Sequence, residues 1–181
     1  MMNHWKASTS IEVQKLLPYI VAQPPFPCVR VKFPTPISDS RSIVMRWIEV
    51  RSDPSWVLIC GKSLASDVHG WVALNVMNRN HLQGRMKSNS RDAEFMRLLS
   101  GTHHVSASFK RAGLVDGDDE AWIVHMDGDM SSDFDIHIEK MGASRLDSRP
   151  SLELFSSERM GIENGYSEDV AIGHIHLADM R

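Results

Sequence analysis

Little in this 181-residue chain marks a specialised protein. It has only two cysteines, Cys28 and Cys60, too few for a secreted disulfide scaffold. Both sit beside apolar residues and read as small buried hydrophobes, so a reducing, cytoplasmic setting is expected. Charge of one sign is also lacking. Twenty Lys+Arg against 23 Asp+Glu leave a formal charge of −3, which gives no global field for nucleic acid or acidic lipid. Long apolar runs are absent as well. The longest are of the kind Trp56 to Cys60, far short of the ~20 residues a membrane span needs. The first residues, Met1 to Lys6, hold no basic stretch followed by an apolar one, so no signal peptide is expected. No internal repeat or low-complexity tract occurs. What remains is a globular composition, 42% apolar and 24% charged, enough for one self-sufficient core.

The usual chemical signatures are missing too. There is no G-x-S-x-G elbow for a serine nucleophile. Gly61-Lys62-Ser63 follows an apolar strand like the end of a phosphate-binding loop, but Trp56 stands where the first glycine is required. Ser66-Asp67-Val68-His69 contains triad residue types without triad spacing. Asp127, Asp129, Asp133 and Asp135 alternate as in a calcium loop. Ser132 and Ile138 stand where an EF-hand needs glycine and glutamate. No cofactor is expected.

What is present first suggests two parts. Residues 1–36 form an N-terminal helix and proline-rich arm. Thr9-Ser10-Ile11-Glu12 is a capping box, and Pro18 ends the helix near Leu17. Pro24, Pro25, Pro27, Pro34 and Pro36 then stiffen the chain around a short strand, Val29 to Phe33. Residues 37–181 form a single domain. Ile43 to Arg51, rich in β-branched and aromatic residues, reads as a strand, as do Trp56 to Cys60 and Trp71 to Met77, and these three suggest a meander. Asn78 to Ser90 is polar and loop-like. Ser90 caps a helix that carries Phe95, Met96, Leu98 and Leu99 and stops at Gly101. Strands are expected again at Val105 to Lys110, Ala121 to Met126 and Phe134 to Lys140, with weaker ones at Leu152 to Phe155 and Val170 to Leu177. The fold class is α+β, a mostly antiparallel sheet with about two helices packed on one face.

Two clusters carry possible chemistry. If 121–140 is a hairpin, alternation places His125, Asp135 and His137 on one sheet face. His174 and His176, spaced by two, would share a face of a last strand. Together these five are a candidate zinc or iron site. The second cluster is basic. Arg79, Arg85, Lys87 and Arg91 in the loop 78–91 are candidates for contacting nucleic-acid phosphates.

Because no cofactor, nucleotide or nucleophile motif survives, the leading expectation is a cytoplasmic interaction protein without enzymatic activity. It would be an accessory, adaptor or matrix-like domain acting by self-association as a homo-oligomer or by binding a protein partner. A metal-dependent enzyme using the His/Asp cluster and a nucleic-acid binder using loop 78–91 are the alternatives.

Overall fold

A computed structural model describes residues 23–180. The helix expected between Thr9 and Leu17 lies outside the described residues. Four strands, β1 (Cys28–Lys32), β2 (Trp56–Cys60), β3 (Glu120–His125) and β4 (Ser144–Leu146), build one sheet. Its order is β2-β3-β1-β4, and every neighbouring pair is antiparallel. The helices are α1 (Ser40–Val50), α2 (Asp67–Leu82), α3 (Arg91–Leu99), α4 (Val105–Arg111), α5 (Phe134–Met141), α6 (Ser157–Met160) and α7 (Glu168–Met180). The α+β class is as expected, with more helices than expected and both sheet faces covered. No helix among the described residues is long and apolar enough to cross a membrane.

The strands read correctly from sequence are those with apolar residues on both sides. All five residues of β2 are buried. Val57 and Ile59 enter one core with Trp122 and Val124 of β3, while Trp56 and Leu58 enter a second core with Ala121 and Ile123. The period of two splits each strand between the cores. Helices α2, α3 and α7 close the first core, and α1 and α5 close the second. Proline-flanked β1 pairs with β3 on one side and β4 on the other, so this stretch of the expected arm supplies an inner strand of the sheet.

Five segments expected as strands are helices, and the expected meander does not form. Ile43 to Arg51 falls in α1, capped by Asp39, whose carboxylate accepts from the Ser42 amide at 3.1 Å. Ile43, Trp47 and Val50 turn inward at helical spacing, which overrides the strand preference of the β-branched residues. Trp71 to Met77 falls in α2, where Ser66 caps the amide of His69 at 3.0 Å and Ala73, Met77 and Asn80 are buried one turn apart. Val105 to Lys110 is α4. Phe134 to Lys140 is α5: Asp133 caps it, Gly142 ends it with φ +66, and Phe134, His137, Ile138 and Met141 form its buried stripe. Val170 to Leu177 belongs to α7, with Ala171, Ile175 and Ala178 facing inward. Leu152 to Phe155 is a turn and not a strand. The α3 expectation holds, with Ser90 preceding it and Gly101, φ +60, just beyond it.

The layer of α2, α3 and α7 is fastened by polar groups inside it. Glu94 and Arg97 are wholly buried and joined at 2.6 Å. Arg97 also donates to the carbonyls of Thr102 at 3.2 Å and Ala178 at 3.0 Å. Glu94 accepts from the amides of Lys87 and Ser88. Burial alone pushes the Glu94 carboxyl up, but these donors outweigh it and hold it below its ordinary range. Arg79 and Asn80 grip Asp179 at the end of α7.

Candidate functional site

The residues singled out for metal binding are dispersed. His125, at the end of β3, and His137, on α5, do come together, around an aromatic ring. Both imidazoles stack on Trp56 with ring centroids 4.0 Å away. Three of their four ring nitrogens are engaged elsewhere. His125 Nδ1 lies 2.7 Å from the Ser132 hydroxyl. His137 Nδ1 faces the Asp133 carbonyl, which only accepts, so that nitrogen carries the proton. Nε2 then accepts from the Ser52 amide at 3.2 Å. Burial pushes the His137 pKa below its ordinary value, which keeps the ring neutral. Asp135 is exposed and paired with Arg145 at 2.8 Å. His174 sits on the opposite helical layer, its Nε2 between the carbonyls of Ser100 and Met160. His176 is exposed on the same helix. The strand face that was to gather these groups is replaced by α5 and α7. Among the described residues no group of three or more His, Cys, Asp or Glu is placed to hold a metal ion.

The basic loop is folded back on the protein. Arg91 makes a two-pronged contact with Asp127, at 2.5 and 2.7 Å, and reaches Asn78 at 3.1 Å. Arg79 is paired with Asp179. Lys87 is fixed through its amide to Glu94 at 3.2 Å. Arg85 lies between them in the loop, exposed. Two of the four candidate phosphate contacts therefore already face a carboxylate of the same chain.

The site that stands out is apolar, and the sequence reading missed it. Helix α1 buries Trp47 but leaves Val44, Met45 and Ile48 about half exposed. These face Phe109 of α4, also about half exposed, across a groove of about 570 Å³. Ala93 and Met96 of α3 and Leu114 complete its walls, and Val57 and Leu58 of the edge strand β2 form its floor. One end holds the Arg51–Asp92 ion pair at 2.8 Å; Arg51 also donates to the Trp56 carbonyl at 3.2 Å. Burial pushes the Asp92 carboxyl up, and hydrogen bonds from Ser90 and Arg51 bring it below its ordinary value, so it stays ionised. The other end holds Ser40, Arg41 and Gly113. The signal was available: read at helical spacing, residues 43–50 carry apolar side chains on two faces, one more than a surface helix needs to bury.

An α+β domain with an open apolar groove is built to receive another molecule rather than to enclose a small one. The chain belongs to the family described as kinase binding protein CGI-121, which it matches over residues 35–149, more than half its length. That span runs from before α1 through β4 and contains every residue lining the groove. No curated protein matches the chain.

Proposed function

We propose that this protein binds a protein kinase, and that it does so through the groove between α1, the edge of β2, α3 and α4. The coincidence of the family match with the groove carries the reading. The family is named for kinase binding, and the apolar groove lies wholly within the matched residues. The second layer supports it by contrast, since α7 and the recess beside it lie outside the match. The protein acts by binding, without chemistry of its own. A homo-oligomer, with a second copy in the groove, is the competing occupant.

The test is affinity purification of the tagged full-length chain from its source organism, with the captured proteins identified by mass spectrometry. A protein kinase is expected in near-equimolar amount. The Met45→Asp, Ile48→Asp double variant should recover at least ~10-fold less, because charges placed in an apolar contact cost at least about 1.4 kcal/mol. Both residues are exposed, so the variant keeps its thermal stability. Absence of any kinase, or capture indifferent to the double substitution, overturns the proposal.

A further inference from the structure

The floor of the groove has a feature that selects the form of its occupant. Met126 donates its amide to Ser55, and Gly61 donates to Glu120. These two bonds frame the β2–β3 ladder. Between them the register pairs Val57 with Val124 and Ile59 with Trp122. In an antiparallel ladder bonded and non-bonded pairs alternate, so Val57 and Ile59 bond to β3 while Trp56, Leu58 and Cys60 turn their amides and carbonyls outward. The outward groups at both ends are answered within the chain. The Trp56 carbonyl accepts from Arg51, and the Cys60 amide donates to Ala112 at 2.8 Å. The amide and carbonyl of Leu58 have no partner among the described residues. They lie at the middle of the groove floor, beneath apolar walls.

Resting on the reading above, we propose that the kinase presents an extended segment to this groove, one residue of which pairs its backbone with both Leu58 groups. A buried donor and acceptor without partners are costly, and an extended chain supplies both partners from one residue while its side chains turn to the walls. A helix satisfies its own backbone and offers the floor nothing. Charge is balanced at both ends: Arg51 pairs with Asp92 at one, and Arg41 lies near Asp39 and Asp116 at the other. The segment therefore carries apolar side chains without a required charge.

The experiment uses the full chain with the kinase it captures. Replacing residue 58 by the α-hydroxy acid of leucine turns its amide into an ester, keeping the side chain and removing the outward N–H. The fold should be unaffected, because that N–H has no partner in the described part of the free protein. Kinase affinity should fall about five-fold, the effect of one net hydrogen bond. Residue-resolved hydrogen exchange is the second readout. The Leu58 amide should exchange faster than Val57 and Ile59 in the free chain and slow at least ten-fold in the complex. Unchanged affinity of the ester protein overturns the extended-segment inference, even while the Met45→Asp, Ile48→Asp variant still abolishes binding and the kinase reading stands. Absence of a kinase complex overturns both. Concentration-dependent protection of Leu58 in the kinase-free chain overturns the inference in favour of a second copy.

Discussion

The two helical layers over the sheet solve different problems. The layer of α2, α3 and α7 is the closed one: its exposed apolar residues, Val68, Leu82, Leu177 and Met180, lie in the end turns of α2 and α7. Phe95, Leu98, Leu99, Met77, Ile175 and Ala178 are essentially inaccessible, and a buried ion pair ties α3 to the last turn of α7. The layer of α1 and α5 is open. It buries Trp47, Phe134 and Ile138 but leaves Val44, Met45 and Ile48 at the surface. The lesson is that apolar residues at the same spacing serve stability where a second element covers them and recognition where none does. The closed layer fixes the sheet; the open layer uses the sheet edge as a floor.

The contrast can be broken first in the closed layer. Arg97→Ala leaves Glu94 charged, buried and unpaired, and frees the Ala178 carbonyl. Stability should drop by about 3–5 kcal/mol in denaturant unfolding. A second change sharpens the comparison through pH. Burial in the closed layer, reinforced by nearby His174, pushes the His69 pKa down from 6.5 to about 3. Because the folded value lies below the unfolded one, the unfolded chain binds the extra proton between them. His69 therefore leaves stability intact above about pH 6.5, and below that it subtracts about 1.4 kcal/mol per pH unit down to about pH 3. His69→Asn, whose side-chain carbonyl can replace Nδ1 as acceptor for the Ala65 amide, should flatten that slope in stability curves measured from pH 7 to 4. In the open layer, Met45→Asp with Ile48→Asp should change unfolding free energy by under about 0.5 kcal/mol while removing kinase capture. The smallest effect is expected at Asp135→Asn, which breaks an exposed ion pair with Arg145 and should cost no more than a few tenths of a kcal/mol.

The layers also differed in how legibly they were written in the sequence. Trp56 to Cys60 and Ala121 to Met126 could be read because a strand covered on both sides must be apolar throughout. The α3 helix could be read because acidic residues open it and a glycine closes it. The open layer misled. In α1 the exposed Val44 and Ile48 fill the gaps of the helical stripe, so the periodicity blurs towards a strand. In α5 the apolar residues Phe134, Ile136 and Ile138 happen to alternate, yet Ile136 is largely exposed and His137 is buried. The cap Asp133 and the stop Gly142 were the better guides. The same error created the metal cluster, since His125, Asp135 and His137 share a face only if residues 134–140 are a strand. The wall of the groove left a trace in the second apolar face of α1, but its floor left none: which backbone groups of β2 turn outward follows from its pairing with β3, which no side-chain pattern encodes.

The position of β1 sets the practical limits of the protein. It lies upstream of the residues that define the family match, yet it sits inside the sheet, with five register partners on β3 and three on β4. Arg149, the last matched residue, reaches back to the carbonyls of Phe26 and Cys28 at 2.6 and 2.7 Å. A fragment starting at residue 37 would present the naked flank of β3 to solvent and to other copies of itself. Such a fragment should precipitate on expression, whereas the full chain should stay dispersed. A binding-competent piece of this protein therefore has to be cut wider than the stretch by which its family is recognised.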